Sequence, residues 1–204
     1  MHIRLGNADS FGFRTAALEL LAHQVNPSTV SWSSCAADDL TSRAPETWRA
    51  SRAVAAVVPR SFLRTIELVV LHRDPERFEI LYRTLWRLVH EPALKDDAID
   101  GDLMQLRAMV QSVRRDLHRM RSTIAFVPMQ RGHGAALPCA WAAPAHFITE
   151  AYAIWRVEKA RMPGFAVATP ERMVVHEYEE FRYLPGVPAP PGDEAHWRAL
   201  LRRP

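Results

Sequence analysis

Lysine is nearly missing from this 204-residue chain. Lys95 and Lys159 are the only two, so almost all of the 26 Lys+Arg cations are arginines. The planar arginine fork suits phosphate and carboxylate, although a GC-rich coding bias produces the same preference. Cysteine is scarce as well. Cys35 and Cys139 belong to no CxxC or zinc-spaced set, which excludes a disulfide framework and points to two reduced thiols in a cytoplasmic protein. No apolar run approaches the roughly 18 residues of a membrane span, and no cationic start precedes an apolar stretch. Secretion and membrane spanning are therefore not expected. Also missing are a Gly-rich phosphate loop, a CxxxCxxC cluster motif, a GxSxG elbow and an HExxH pair. Each would have signalled a specific chemistry. No cofactor and no metal are expected.

What is present suits a folded chain. Hydrophobic residues at 48% supply a core and charged residues at 24% an ordinary surface, enough for a single domain over 1–204. The net charge of +3 comes from Lys+Arg 26 against Asp+Glu 23. That balance does not by itself argue for nucleic acid, even with a pI near 9.2. The distribution matters more, because the cations gather in Arg-rich helices while the acids collect at 91–102 and 171–180.

The pattern predicts an α+β chain: a mostly helical part over 1–122 with a short β-α-β opening, then a β-β-α-β-β subregion over 123–204. His2 to Leu5 and Thr29 to Ser33 read as strands. Between them a helix capped by Asp9 or Ser10 runs to about His23. Residues 34–58 are rich in Ala, Ser and Asp and suggest short helices. A helix follows from Pro59 or Ser61 to His72, and Asp74-Pro75 signals the next start, a capping side chain followed by a ring suited to the first turn. In the second subregion, strands are expected at Thr123–Met129, Leu137–Ala142, Phe165–Thr169 and within Met173–Tyr183. Pro144 to Lys159 reads as helix, and a short terminal helix holds Trp197.

The most informative stretch is Gln105 to Arg121. Leu103, Leu106, Val110, Val113, Leu117 and Met120 recur at three- and four-residue steps and make one greasy stripe. Arg107, Gln111, Arg114, His118 and Arg121 follow the same step about 100° around the axis. Arg115 and Arg119 widen that cationic side. Such a row suits a phosphate backbone, with His118 gaining charge below its ordinary pKa of about 6.5. It also suits a solvated face paired with Asp116 and the acidic linker.

Weaker signals surround it. His72-Arg73-Asp74 matches a kinase tripeptide without its Asn or Gly-rich loop, so Asp74 is better read as a cap. His146 and Glu150 lie four apart and, with His118, form a candidate acid-base cluster should the segments pack together. A hydrogen bond is the plainer role. Leu184-Pro185-Gly186-Val187 is similar to the hairpin of helix-hairpin-helix DNA binders, but its flanks read as a strand and a proline run. Among the tryptophans, Trp86 falls on an apolar stripe and Trp141 is the one placed to stack a base.

Two segments carry a family resemblance: HRDPERFEILYRTLWRL at His72 to Leu88 and VRRDLHRMRS at Val113 to Ser122. With Pro144-Ala145-His146 and Ala168-Thr169-Pro170 they resemble an uncharacterised bacterial family of probable DNA metabolism proteins linked to radical-SAM proteins. In that family the domain also occurs ahead of a uracil-DNA glycosylase-like domain. The chain departs from it in two places. Ile124-Ala125-Phe126-Val127-Pro128 lacks an Arg expected on that strand, and Phe165 stands where Trp is favoured. It also stops at Pro204, where many members continue, as a divergent or trimmed member would. The water-activating and His-Pro-Ser-Pro-type motifs of glycosylases are absent, so the resemblance implies a setting rather than a reaction.

The leading expectation is a non-catalytic DNA-binding or adaptor domain in a bacterial DNA repair or modification system. Arg107, Arg114, Arg115, His118, Arg119 and Arg121 would meet DNA. A radical-SAM protein or a uracil-DNA glycosylase-like protein is the partner that the resemblance implies. Two alternatives stay open. One is a small nucleic-acid-processing enzyme using His118, His146 and Glu150. The other is a protein-interaction module whose Arg row meets an acidic surface.

Overall fold

The computed structural model describes residues 1–35, 60–130, 136–159, 162 and 164–201. The expected short helices over 34–58 and the turn at Gly132 and Gly134 lie almost wholly outside them. Two compact units emerge, Met1–Arg114 and Arg115–Pro204. Their division falls inside one long helix.

The first unit opens with β1 (His2–Gly6), α1 (Ser10–Ala22), a 3-10 turn at Pro27–Thr29 and β2 (Ser31–Cys35). β1 and β2 pair in parallel, His2 opposite Ser31 and Gly6 opposite Cys35, which is the expected β-α-β opening. Asp9 caps α1 by accepting the Gly12 N–H at 2.7 Å. Phe13, Ala17, Leu20 and Leu21 are buried beneath it. Three helices follow: α2 (Arg60–Val69), α3 (Arg77–His90) and α4 (Gly101–Thr123), the last preceded by a 3-10 turn at Pro92–Asp96. Asp74 takes the Glu76 N–H at 2.9 Å, so it caps a turn and α3 begins two residues later than Pro75 suggests. Phe78, Leu81, Tyr82 and Leu85 enter the core with Ile66, Leu103 and Leu106.

Arg77 is the exception in that core. It is fully buried, yet its guanidinium donates to the carbonyls of Val70, Asp74 and Asn7 at 3.0, 2.9 and 3.0 Å. Burial lowers its pKa to about 10, leaving it charged at neutral pH. One side chain thereby ties the α2–α3 turn to the loop after β1.

The second unit holds a five-stranded sheet in the order β3-β4-β5-β6-β7. The strands are β3 (Val127–Met129), β4 (Leu137–Trp141), β5 (Phe165–Ala168), β6 (Arg172–Glu177) and β7 (Glu180–Pro185). α5 (Thr149–Glu158) connects β4 to its parallel neighbour β5, and the other pairings are antiparallel. α6 (Glu194–Leu201) buries Trp197 against the sheet's Met129, Leu137 and Val175 cluster. The chain is α+β as expected, but the stretch read as Met173–Tyr183 forms two strands, so the second unit runs β-β-α-β-β-β before α6, one strand more than the expected β-β-α-β-β. β6 and β7 turn through Tyr178 and Glu179, both at positive φ (51° and 67°), a conformation that costs a side chain about 1–2 kcal/mol. At Gly186 a Cβ would collide with the Pro170 carbonyl. The adjacent Val187 N–H bonds Thr169 O at 2.8 Å, so this Pro-Gly pair closes a sheet edge rather than a DNA-binding hairpin.

Candidate nucleic-acid interface

α4 is two-sided as its sequence demands. Leu103, Leu106, Met109, Val113, Leu117 and Met120 are buried, while Val110 is half-buried. Arg107, Gln111, Arg114, Arg115, His118, Arg119 and Arg121 are exposed. At a rise of about 1.5 Å per residue, Arg107 and Arg114 stand about 10 Å apart along the axis. Arg115 and Arg121 stand about 9 Å apart by the same rise.

Whether such a row can bind an anion depends on what already neutralises it. The acids just before and at the start of α4 are committed elsewhere. Asp102 takes a two-pronged contact from Arg83, 2.7 Å to Nη2 and 3.1 Å to Nε. Arg87 reaches Asp100 at 2.7 Å and Asp102 at 3.2 Å. Asp100 also caps α4 through the Leu103 N–H at 3.0 Å. The Arg87 hydrogen bond holds the Asp100 carboxyl below its ordinary range, and the Arg83 bond does the same for Asp102. These carboxylates therefore serve α3, not the cationic face of α4.

The members of the row differ in how occupied they are. Arg107 Nη1 donates to the Ala98 carbonyl at 3.0 Å, a contact that leaves its charge uncompensated. Arg114, Arg115 and His118 have no hydrogen-bond or ion-pair partner among the described residues. Arg119 is bound to Asp116; its charge is met, and it contributes least. Arg121 lies over the Trp155 ring, 4.6 Å from the centroid, an arrangement that orients a cation without neutralising it.

Around Arg121 the second unit adds groups that the helical pattern could not reveal. Arg156 lies 4.6 Å over Phe126, and the Tyr152 and Trp155 rings sit 5.8 Å apart. The buried Tyr152 hydroxyl has no hydrogen-bond partner among the described residues. Burial raises its pKa, and the charges of Arg156 and Arg121 partly offset that rise. The i, i+4 spacing of Tyr152 and Arg156 was the available signal.

The first unit contains a groove of about 380 Å³ beside the start of α4. Its floor is Phe62, Leu88, Leu103, Leu106 and Val110, and its rim carries Lys95, Arg107, Gln111 and Arg114. Among the described residues no carboxylate lines it. Lys95 is exposed and has no ion-pair partner among the described residues.

The acid-base candidates are held differently from expectation. His146 precedes α5, which starts at Thr149, so His146 and Glu150 do not share a helical face. The chain turns first, with Ile148 N bonded to His146 O at 2.9 Å. His146 is buried, and its backbone N–H donates to Asp116 Oδ2 at 3.0 Å. Glu150 accepts from Arg172 Nε at 2.8 Å, and His118 is exposed on α4. No hydrogen bond among the described residues joins these three side chains, and none of them lines the groove. Among the described residues no group of His, Cys, Asp or Glu is gathered as a metal site. Trp141 is likewise engaged: its indole N–H donates to Val187 O at 2.8 Å, which makes it an anchor of the sheet edge.

Neither Cys35 nor Cys139 is in a disulfide, and no helix among the described residues is long and apolar enough to cross a membrane. A family profile described as a domain of unknown function, DUF4130, matches residues 75–199. No curated protein and no solved structure matches the chain.

Proposed function

For a chain that belongs to the DUF4130 family, matched from the start of α3 to α6, we propose a non-catalytic DNA-binding or adaptor role in a bacterial DNA repair or modification system. The observation that carries it is the uncompensated cationic side of α4. Among the described residues Arg114, Arg115 and His118 have no hydrogen-bond or ion-pair partner and Arg107 is met by a carbonyl, while the nearby Asp100 and Asp102 are bound to Arg83 and Arg87. An acidic linker folded back on the row would have cancelled this reading. The linker's Asp100 and Asp102 are instead bound to α3, and where it meets the row, at Arg107, it offers the Ala98 carbonyl rather than a carboxylate. Phosphate contacts of this kind release counterions, so affinity falls steeply with salt. A radical-SAM protein or a uracil-DNA glycosylase-like protein is the partner class proposed alongside DNA, on resemblance alone.

Fluorescence anisotropy with a labelled DNA tests this. Binding should weaken as salt rises, and Arg114→Ala and Arg115→Ala should each lower the slope of log affinity against log salt by about 1. Absence of binding at low salt rejects the proposal. Binding that survives high salt unchanged rejects its electrostatic basis.

A further inference from the structure

A ridge that merely tracks phosphates has no use for a cleft with an apolar floor, yet one opens directly beside two of the α4 arginines. The groove holds about 380 Å³, within the roughly 300–1,000 Å³ of ligand sites. Its two faces differ in chemistry. Phe62, Leu88, Leu103 and Leu106 make an uncharged floor, while Lys95, Arg107 and Arg114 place cations along the rim. Gln111, exposed at the same rim, offers both an amide donor and an amide acceptor.

An anion alone would be better hydrated than held over aliphatic carbon, and an uncharged ligand would leave the rim cations unused. A phosphate attached to a flat, weakly polar ring satisfies both faces. In a duplex that ring is stacked and paired, and so unavailable to a cleft. In a single strand it is free to be inserted.

We propose that this groove takes an unpaired base of a single-stranded nucleic acid, with the adjoining phosphates on Arg107, Arg114 and Lys95. This rests on the reading of α4 as a DNA-contacting helix and names its preferred substrate as single-stranded. Gln111 then meets a base edge, and the α4 row beyond the groove meets phosphates without regard to sequence.

The test compares labelled single-stranded oligothymidylate, a fully abasic oligomer of equal phosphate count, and a duplex of equal length. Wild-type protein should bind the oligothymidylate about tenfold more tightly than the abasic strand, the gain expected from one sequestered base. Val110→Met, which extends the floor into the groove without adding charge or a ring, should bring that ratio towards one. Arg115→Ala, outside the groove, should weaken all three ligands and keep the ratio. Independently, a strand carrying one 5-iododeoxyuridine should photocross-link wild-type protein at peptides containing Phe62, Leu88–Lys95 or Leu103–Gln111. A wild-type ratio near one, equal or tighter duplex binding, or cross-links confined to other peptides overturns the groove assignment while leaving the electrostatic reading in place. Failure of all three nucleic acids to bind at low salt overturns both.

Discussion

Arg77 shows how one side chain can be needed for structure while looking functional in sequence. It sits within a motif-like His72-to-Arg77 run and would be a natural suspect for phosphate contact. It is instead spent on three carbonyls inside the first unit. Removing it strands buried acceptors, each worth about 1–3 kcal/mol when left unpaired. Arg77→Ala should therefore destabilise by about 3 kcal/mol or more in urea unfolding. Arg77→Lys should recover only part of the loss, because an ammonium cannot reproduce the fork. Asp116 makes the complementary case. It bridges Arg119 and the His146 N–H while almost fully buried. Asp116→Asn keeps an oxygen for His146 but releases Arg119, so DNA affinity should rise modestly at low salt as stability falls. Lower DNA affinity in a folded variant would contradict the electrostatic account. At the β6–β7 turn, Glu179→Gly should stabilise by about 1 kcal/mol, since φ of 67° favours a residue without Cβ. A thermal melt reads this directly.

Among the elements, α3 and α4 interact through charge as well as through their apolar stripes. The Arg83, Arg87, Asp100 and Asp102 network has two acids whose pKa values are lowered by hydrogen bonds from those arginines. Carboxylates lowered on folding bind fewer protons in the native state than in the unfolded one. Their stabilisation is thus complete above the ordinary carboxylate range near pH 4, and it is lost as pH falls through the lowered values. Wild-type stability in urea should drop as pH falls below about 4, and Asp102→Asn should lose part of that drop. At pH 7 the same variant should be less stable by about 1 kcal/mol, in keeping with a partly buried, two-pronged pair. An acid limb identical to wild type would show that the network contributes no linkage.

For the whole chain, the net charge is a poor guide and the local field a good one. A formal +3 is too small to hold DNA by bulk attraction at moderate salt. Charge reversal separates the two ideas. Arg115→Glu on α4 and Arg14→Glu on the exposed side of α1 each take the total from +3 to +1, a change of two units. The first should weaken DNA binding by about tenfold or more, and the second by no more than about twofold. Equal losses would mean that the whole surface, not one helix face, sets affinity.

Much of this was written in the chain itself. Repeats of 3.6 residues fixed both sides of α4, and Asp9 marked the start of α1, because helix faces and caps depend on neighbours within a few positions. The strand-strand-helix-strand order up to β5 was legible for the same reason. The split of 172–185 into two strands, β6 and β7, was not, since the Tyr178-Glu179 turn carries none of the glycine or asparagine that usually announces positive φ. Nor could spacing show that α5 begins after His146, because the intervening turn is set by backbone hydrogen bonds. Above all, which acid meets which arginine is a matter of separation in space. Asp100 and Asp102 lie only seven and five residues before Arg107 along the chain, yet folding gives them to Arg83 and Arg87. Electrostatic pairing acts over a few ångströms regardless of sequence order, so only the tertiary structure could decide which cations remain free and that an apolar groove lies beside them.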